Sequence, residues 1–379
     1  MPTSLIKICT ICGTRPELIR LSETIKKLDM YTKHCLVFTG QSYDYEMSQI
    51  FFDELGIRKP NYTLTVRADS VSRQVGNIMT QCEEVMIAEQ PDIVLVLGDT
   101  NSALACYAAK RRGIKVIHME AGNRGYSDRV PEEVNRRIID HISDVNLCYT
   151  EHARRNLLGE GLHPSSIFVI GSPMPEVYQV HQDRIQQSGI KSELGITDKG
   201  YFLASIHREE NVSNGRVLFE IIRAFGDIGR LYHVPVIMST HPRTMEKLSV
   251  PDVRWIPHNN ITLHKPFGML DYVNLQQGAL CCLSDSGTIH EDAAILGIPA
   301  VNVRNSQERP EVYDAGNIVM SGTDREEIVA SVKLVLGQDG TAFNVPDDYM
   351  DTNYSDKAVR IIISAYHQLG AGNTEAGNR

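Results

Sequence analysis

The stretch Leu283-Ser284-Asp285-Ser286-Gly287-Thr288-Ile289-His290-Glu291-Asp292-Ala293-Ala294 decides the reading of the fold. Ahead of it, Ala279 to Leu283 is a short apolar run of the kind a buried parallel strand requires. Behind it, Ile289 to Leu296 reads as a helix, closed by Gly297 and Pro299 where a C-cap glycine and a following proline belong. Ser286-Gly287-Thr288 then forms a strand-to-helix turn of small residues with exposed backbone N–H groups. A diphosphate binds such a turn through the positive end of the helix, and the Ser286 and Thr288 hydroxyls can add to it. Glu291 and Asp292 follow about one helical turn later, where one carboxylate can take the two hydroxyls of a ribose. Strand, phosphate turn and ribose acid together describe a nucleotide site. The plain alternative is an ordinary strand-to-helix turn with two surface acids.

The whole chain bounds what such a site can serve. Its 379 residues suit two domains of near-equal size. With 38 basic residues against 47 acidic ones the net charge is −9, so no nucleic-acid partner is expected. An anionic ligand must be held by a local basic cluster. No apolar run approaches the roughly 20 residues that span a bilayer, so no membrane partner is expected. Met1-Pro2-Thr3-Ser4 leads straight into a strand-like run, so no signal peptide is expected. Eight cysteines occur, mostly inside apolar runs (Cys9, Cys12, Cys106, Cys281, Cys282). Cys9 and Cys12 have CxxC spacing but lie on a strand, not at a helix start, and read as buried structural thiols. No Cys/His metal spacing is present, so no metal is expected, and the thiols point to a reducing cytoplasmic location.

Outward from the opening stretch, strands and helices alternate throughout. Leu5 to Cys12 is an apolar strand, and Gly13-Thr14-Arg15-Pro16-Glu17 opens a helix with proline at its first position and an acid at its positive end. Arg15 thus stands at the carboxyl edge of the sheet, where open α/β sheets bind ligands; a solvated turn arginine is the alternative. His34 to Thr39 is the next strand, with a polar, aromatic turn from Gly40 to Tyr45, and a helix runs from about Ser70 to Glu89. Ile93 to Leu97 is apolar at every position, as a central parallel strand must be. Gly98-Asp99-Thr100 ends it, and Ser102 to Lys110 returns as a helix. Lys115 to Met119 is a strand ended by Glu120-Ala121-Gly122. Asp99 and Glu120 therefore sit just past neighbouring strands about 4.8 Å apart and are expected to be close. Pro131-Glu132-Glu133 starts a helix in which the glutamates can simply pair with Arg136 and Arg137. Val145 to Tyr149 and Ile167 to Ile170 complete the first sheet, and a break is expected at Gly171-Ser172-Pro173-Met174-Pro175.

The second half repeats the scheme. Tyr201 to Ile206 is a strand with His207-Arg208-Glu209-Glu210-Asn211 at its edge, followed by a helix from about Arg216 to Tyr232. Pro235 to Thr240, Ile261 to Lys265, and Ala300 to Val303 are further strands, and the helix after Pro266-Phe267-Gly268 carries Tyr272. Thr323 to Glu326 reads as a capping box. Residues 1–172 are expected to form the first domain, with the last helix (about 360–370) packing back on it. Residues 173–359 form the second, and 371–379 a disordered tail. The expected fold class is α/β: two doubly wound, Rossmann-like domains facing each other across a cleft, which brings the strand-end residues together.

Several motifs occur together and in order: Gly13-Thr14-Arg15-Pro16-Glu17, Gly98-Asp99-Thr100, Glu120-Ala121-Gly122, Pro131-Glu132-Glu133 with Asn135-Arg136, His207-Arg208, Asp285-Ser286-Gly287 and Glu308-Arg309-Pro310-Glu311. In these the chain resembles the non-hydrolysing UDP-N-acetylglucosamine 2-epimerase family, which has the glycosyltransferase-B fold, from about residue 6 to residue 365. Within it the chain looks like the UDP-N-acetyl-L-fucosamine synthase branch. That likeness rests on Gly40 to Glu46, Met119 to Arg124, Gly171-Ser172-Pro173-Met174, His207 to Asn211, Ser239 to Thr244 and Ser284 to Ile289. Common 2-epimerases tend to carry Gly-Asn-Thr at 171–173, Gly-Gly at 287–288, a second glutamate at Asp292 and a lysine at Arg20. The first two departures agree with the fucosamine branch; Asp292 is a methylene shorter, which keeps Glu291 a candidate.

The resemblance implies elimination chemistry. A base removes the C2 proton of a UDP-2-acetamido sugar while UDP leaves C1, and UDP then adds back with a proton delivered to the other face. This needs no cofactor, but it needs proton-handling groups on both faces of the ring and an anion clamp. The residues implied as catalytic are Asp99, Glu120, Glu132 and His207. Arg15, Arg20, Tyr272, Ser286, Gly287, Thr288, Glu291, Asp292 and Arg309 are those implied for UDP-sugar binding. Close carboxylates in a dry cleft cannot all stay ionised, so one proton is expected among Asp99, Glu120 and Glu132. The implied reaction converts UDP-2-acetamido-2,6-dideoxy-L-talose into UDP-N-acetyl-L-fucosamine for capsule or O-antigen synthesis, by a cytoplasmic homodimer. The alternatives are a UDP-N-acetylglucosamine/UDP-N-acetylmannosamine epimerase and the L-rhamnosamine to L-quinovosamine variant. A glycosyltransferase of the same fold, a hydrolysing epimerase and an inactive UDP-sugar sensor are the remaining rivals. The acidic chain shows no basic apolar face for a lipid acceptor, which counts against the glycosyltransferase.

Overall fold

A central strand of a parallel sheet must be apolar on both faces, and Ile93-Val94-Leu95-Val96-Leu97 is at most 2% exposed throughout. The structure, a computed structural model of the chain, describes residues 6–40, 52–126, 130–248, 259–306, 308–338 and 344–370. The polar turn expected through Tyr45 and the tail expected at 371–379 lie outside the described residues. No helix among the described residues is long and apolar enough to cross a membrane.

Contacts divide the chain into two units, Met1–Gln179 with Met350–Arg379, and Val180–Tyr349. The chain therefore passes to the second unit inside the helix Met174–Gln186, later than the expected 172/173, and returns at 349/350 rather than 359/360. The break expected at Gly171–Pro175 is the start of that helix. Ser172 Oγ accepts from Met174 N–H at 3.1 Å, and Pro175 falls in the first turn, where no N–H partner is required.

In the first unit the strands are β1 (Lys7–Cys12), β2 (Lys33–Phe38), β3 (Tyr62–Thr63), β4 (Ile93–Leu97), β5 (Lys115–Ala121), β6 (Val145–Cys148) and β7 (Ile167–Val169). They pair in the order β3-β2-β1-β4-β5-β6-β7, all parallel. Cys9, Ile11, Cys35, Val37, Val94 and Val96 face a core shared with the helix Val71–Glu89. The alternate residues Ile8, Leu36 and Leu95 are equally buried, so both faces are covered. Helix Arg15–Tyr31 packs with the last helix, Tyr354–Gly370, and Lys27 pairs with Asp356 at 2.8 Å. The order reverses between β1 and β4, which makes this the topological switch point.

The second unit holds β8 (Phe202–Ser205), β9 (Val236–Ser239), β10 (Ile261–His264), β11 (Cys281–Ser284), β12 (Ala300–Asn302) and β13 (Val319–Met320). Their order is β10-β9-β8-β11-β12-β13, again parallel, with the switch point between β8 and β11. Two cores lie on opposite faces. One takes Phe202, Ala204, Cys281 and Leu283 with the helices Gly215–Tyr232 and Arg325–Gly337; the other takes Leu203, Ile237 and Cys282 with Met269–Gly278 and Ile289–Leu296. All eight cysteines are buried free thiols.

Three local expectations change. The segment 101–111 is a 3₁₀ turn, Asn101–Ala105, followed by the α-helix Cys106–Arg111, because Ala103 N–H bonds back three residues to Thr100 O. The cap near 323 is Asp324, whose carboxylate accepts from Glu326 and Glu327 N–H at 2.8 and 3.3 Å. Finally, β5 does not stop at Met119 but runs on to Ala121 through Glu120.

Candidate active site

The candidate residues fall into two groups, one in each unit. In the first unit, β1 runs into Gly13-Thr14 and β4 into Gly98-Asp99. Met119 pairs with Leu147 and Ala121 with Cys148, which leaves Glu120 as the extra residue of a β-bulge. Its φ is +64°, a left-handed conformation that costs a non-glycine residue about 1–2 kcal/mol. The bulge turns the side chain to where Arg20 Nε lies 3.8 Å from Glu120 Oε2 and the Tyr149 hydroxyl donates to the same oxygen at 3.4 Å. The Arg20 guanidinium also lies 5.5 Å from the Tyr149 ring centre. A Cβ added to Gly98 would stand 3.7 Å from Glu120 Oε2, so this carboxylate rests against the residue that precedes Asp99.

Asp99 is held by the Arg136 guanidinium, with Nε at 3.1 Å and Nη2 closer, and Asn135 Nδ2 donates to its backbone oxygen at 2.9 Å. Arg136 also pairs with Glu133 at 2.9 Å, and Glu133 accepts from Gly125 N–H and Arg137. Glu133 is therefore bound into structural pairs, as the helix-pairing alternative has it. Glu132 is half-buried in the first turn of the helix Pro131–Ile142, and Arg15 is half-buried at the start of its own helix.

Two features of this edge were not anticipated. Glu17 Oε2 accepts from Gly13 N–H, Thr14 N–H and the Thr14 hydroxyl at 3.1, 2.8 and 2.7 Å, while Thr100 Oγ1 donates to Oε1 at 3.1 Å. It thereby ties the loop after β1 to the loop after β4. Burial pushes its pKa up to about 7, even though these hydrogen bonds favour the ionised form. The Thr14-x-x-Glu17 spacing of a capping box was the signal for it. The second feature is a wholly buried chain of His118, Asp140 and Arg124. His118 Nδ1 lies 2.8 Å from Asp140 Oδ1, and Arg124 Nη1 donates to Asp140 Oδ2 at 2.7 Å. Burial alone would raise the Asp140 pKa. The hydrogen bond and charge of His118, with those of Arg124, outweigh it and hold the carboxyl below its ordinary value.

In the second unit, Asp285 follows β11 and is fully buried. It accepts from His207 N–H at 3.0 Å, Arg208 N–H at 2.9 Å and Asn211 Nδ2 at 3.1 Å, and His207 Nδ1 stands 3.3 Å away. One carboxylate thus fixes the loop after β8 against the turn after β11 and orients His207, whose side chain is 38% exposed. In the turn, the Ser286 and Thr288 hydroxyls are 2.9 Å apart and Thr288 N–H donates to Ser286 Oγ at 3.2 Å. A Cβ on Gly287 would come within 3.0 Å of Arg208 Nη2, so the glycine lets this guanidinium lie on the turn. Beneath it, His290 Nδ1–H points to Gly287 O at 3.2 Å and Nε2 accepts from Asn302 Nδ2 at 2.9 Å; burial lowers the His290 pKa to about 4.

The ribose candidates differ in their surroundings. Glu291 is buried with Arg309 Nη2 at 3.4 Å, whereas Asp292 accepts from Gln276 Nε2 at 2.9 Å. Tyr272 is half-buried and packs against the second unit's core cluster that holds Leu203, Leu275 and Cys282.

Comparison with known proteins agrees with the geometry. A family profile described as UDP-N-acetylglucosamine 2-epimerase matches residues 26–363. The curated UDP-N-acetylglucosamine 2-epimerase of Methanococcus maripaludis is 36% identical over 340 residues, which cover 88% of this chain and 92% of that protein. Among solved structures, a UDP-N-acetylglucosamine 2-epimerase from Rickettsia bellii is 45% identical with a TM-score of 0.89, covering 96% of this chain and 98% of that one. The Methanocaldococcus jannaschii UDP-GlcNAc 2-epimerase, solved in complex with UDP-GlcNAc and UDP, is 32% identical with a TM-score of 0.89, covering 95% and 100%. Both parallel-sheet units belong to the glycosyltransferase-B type of architecture that these proteins share. The chain belongs to the UDP-N-acetylglucosamine 2-epimerase family, and with it to the isomerases that act on UDP-sugars.

Proposed function

We propose that this UDP-sugar 2-epimerase inverts C2 of a UDP-2-acetamido sugar by anti elimination of UDP and re-addition. The observation that carries the reading is the bulged, left-handed Glu120, lying against the loop that bears Asp99 and backed by Arg20 at 3.8 Å. Strain of this kind is kept where a side chain must be aimed. In the proposed step one carboxylate takes the C2 proton as the C1–O bond breaks, giving a 2-acetamidoglycal and UDP. Both electrons of the broken C1–O bond leave with the diphosphate. On the return, UDP attacks C1 and a proton is delivered to the opposite face of C2. Asp99, Glu120 and Glu132 are the proposed proton-handling groups. The second unit takes the nucleotide: Ser286, Gly287 and Thr288 receive the diphosphate on the helix N-terminus, Arg309 and Glu291 take the nucleoside side, and His207, oriented by Asp285, stabilises the leaving group.

The sugar we propose is UDP-2-acetamido-2,6-dideoxy-L-talose, with UDP-N-acetyl-L-fucosamine as product. The support is the set of motifs from Gly171-Ser172-Pro173 to Gly287-Thr288 that sets the chain apart from common 2-epimerases. A second reading, UDP-N-acetylglucosamine to UDP-N-acetylmannosamine, is favoured by the names of the compared relatives. Incubation with each UDP-sugar in D2O, followed by NMR, tests both levels. The class requires one deuterium at C2 of inverted product without free sugar. The L-fucosamine reading requires faster inversion of that substrate, and preference for UDP-N-acetylglucosamine overturns it in favour of the second.

A further inference from the structure

Glu120 occupies a conformation that the β5 backbone does not favour, so something outside it must hold it there. The surroundings supply three fixed points. Two residues before Glu120, His118 Nε2 lies 2.8 Å from Gly98 O, the carbonyl of the peptide that leads into Asp99. Two residues after it, Gly122 N–H is shared between Asp140 Oδ1 and Oδ2 at 3.2 and 3.3 Å. His118 Nδ1 and Asp140 Oδ1, 2.8 Å apart, close the loop. Both side chains are 0% exposed.

The donor inventory sharpens this. Gly98 O and the ionised Asp140 carboxylate can only accept, so each contact asks the His118 ring for an N–H. Asp140 is anchored in turn by Arg124 at 2.7 Å, and Arg124 by Glu160 at 2.7 Å. Buried ionic chains of this sort are seldom retained for stability, because desolvation offsets the attraction. What this one does is join two backbone groups, Gly98 O and Gly122 N–H, that flank the two carboxylates of the proposed chemistry.

We propose that His118 and Asp140 form a positioning dyad that sets Glu120 and Asp99 in register with each other. The inference rests on the assignment of those two carboxylates to proton transfer. Neither member of the dyad is a catalytic residue; they act through the bulge and through the Gly98 carbonyl. A misplacement of about 1 Å at such a site can cost on the order of 10²-fold in rate.

Two substitutions separate the arms. In His118→Asn the amide nitrogen stands in for Nδ1 and keeps the Asp140 contact while releasing Gly98. In His118→Gln it stands in for Nε2 and keeps Gly98 while releasing Asp140. The wild-type enzyme is first tested for deuterium incorporation at C2, which decides the epimerase reading on its own. Each variant is then measured for kcat, KM, UDP affinity by calorimetry, thermal melting, and amide exchange at Asp99, Ala121 and Gly122. The expectation is a fall in kcat on the order of 10²-fold with KM and UDP affinity within about twofold, together with faster exchange at those amides and unchanged slow exchange in β1. If one variant does not fold, the other decides. Wild-type kcat in a folded variant overturns the dyad, as does a loss of kcat that travels with equal losses of UDP affinity and melting temperature. Should the wild type fail to exchange C2, the function is wrong and the amide exchange alone judges the dyad.

Discussion

Replacing Glu17 by glutamine should make the protein more stable at neutral pH, and increasingly so as pH rises. Glu17 is 2% exposed, and burial lifts its pKa from an ordinary 4.5 to about 7. A raised carboxyl binds its proton more tightly when folded. Its contribution is therefore fully present below about pH 4.5 and is lost as pH rises through about 7. Between those limits the loss is about 3 kcal/mol, at 1.36 kcal/mol for each tenfold change. Glutamine reproduces the protonated acid: its oxygen can accept from Gly13, Thr14 N–H and the Thr14 hydroxyl, and its amide can donate to Thr100 Oγ1. The two proteins should be equally stable near pH 4.5 and diverge by about 3 kcal/mol in favour of Glu17→Gln near pH 8. A scan of the wild type alone would not show this. His290 in the second unit, held near 4 by burial against an ordinary 6.5, runs the other way and loses stability as pH falls through that window. Urea unfolding of both proteins across the range cancels that opposing term. A difference that stays flat, or that favours the wild type as pH rises, would refute burial as the dominant cause.

Other substitutions probe each unit separately. Asp99→Asn or Glu120→Gln should leave UDP affinity unchanged in calorimetry and lower turnover by on the order of 10² or more; wild-type turnover removes that residue from the chemistry. Ser286→Ala should weaken UDP binding, and unchanged calorimetric affinity would move the diphosphate off this turn. Asp285→Ala strips the acceptor from His207 N–H, Arg208 N–H and Asn211, and should cost about 2–4 kcal/mol by urea unfolding as well as UDP affinity. Gly122→Ala, at φ +82° with a Cβ 2.4 Å from Ala153 O, should cost about 2–4 kcal/mol, more than Gly161→Ala, at φ +88° with open space around it, which should cost about 1–2. Equal losses at the two glycines would mean that conformation, not the close approach, sets the cost.

Much of the architecture could be read because each element carries its own signal. Ile93 to Leu97 is apolar at every position and is a central strand; the helix expected from about Ser70 runs Val71–Glu89, with Ser70 Oγ accepting from Arg73 N–H at 3.3 Å. Gly297 ends its helix in the left-handed conformation that a C-cap glycine permits, at φ +64°. The two-residue strands β3 and β13 escaped because so short a segment has no period to detect. Asp324 was passed over for Thr323 because neighbouring cap-forming residues offer the same pattern, and only the backbone angles choose between them.

The candidate site was legible where its placement follows from topology and not where it depends on side chains meeting across distant elements. Asp99 and Glu120 could be assigned to one edge because both follow apolar runs. What no periodicity shows is that Glu120 lies within β5, displaced by a bulge, because the bulge is defined by its pairing with β6, 27 or 28 residues further along. His118 and Asp140 are 22 residues apart and Asp140 and Arg124 are 16 apart. In sequence each looks like an isolated polar residue in a strand, a helix or a loop. Their meaning appears only when a strained backbone needs an external hold. A local rule is broken at Glu120, and the residues that compensate for it were the ones the local rules could not find. That correlation is physical: a conformation that its own neighbours disfavour must be enforced by groups that are not its neighbours.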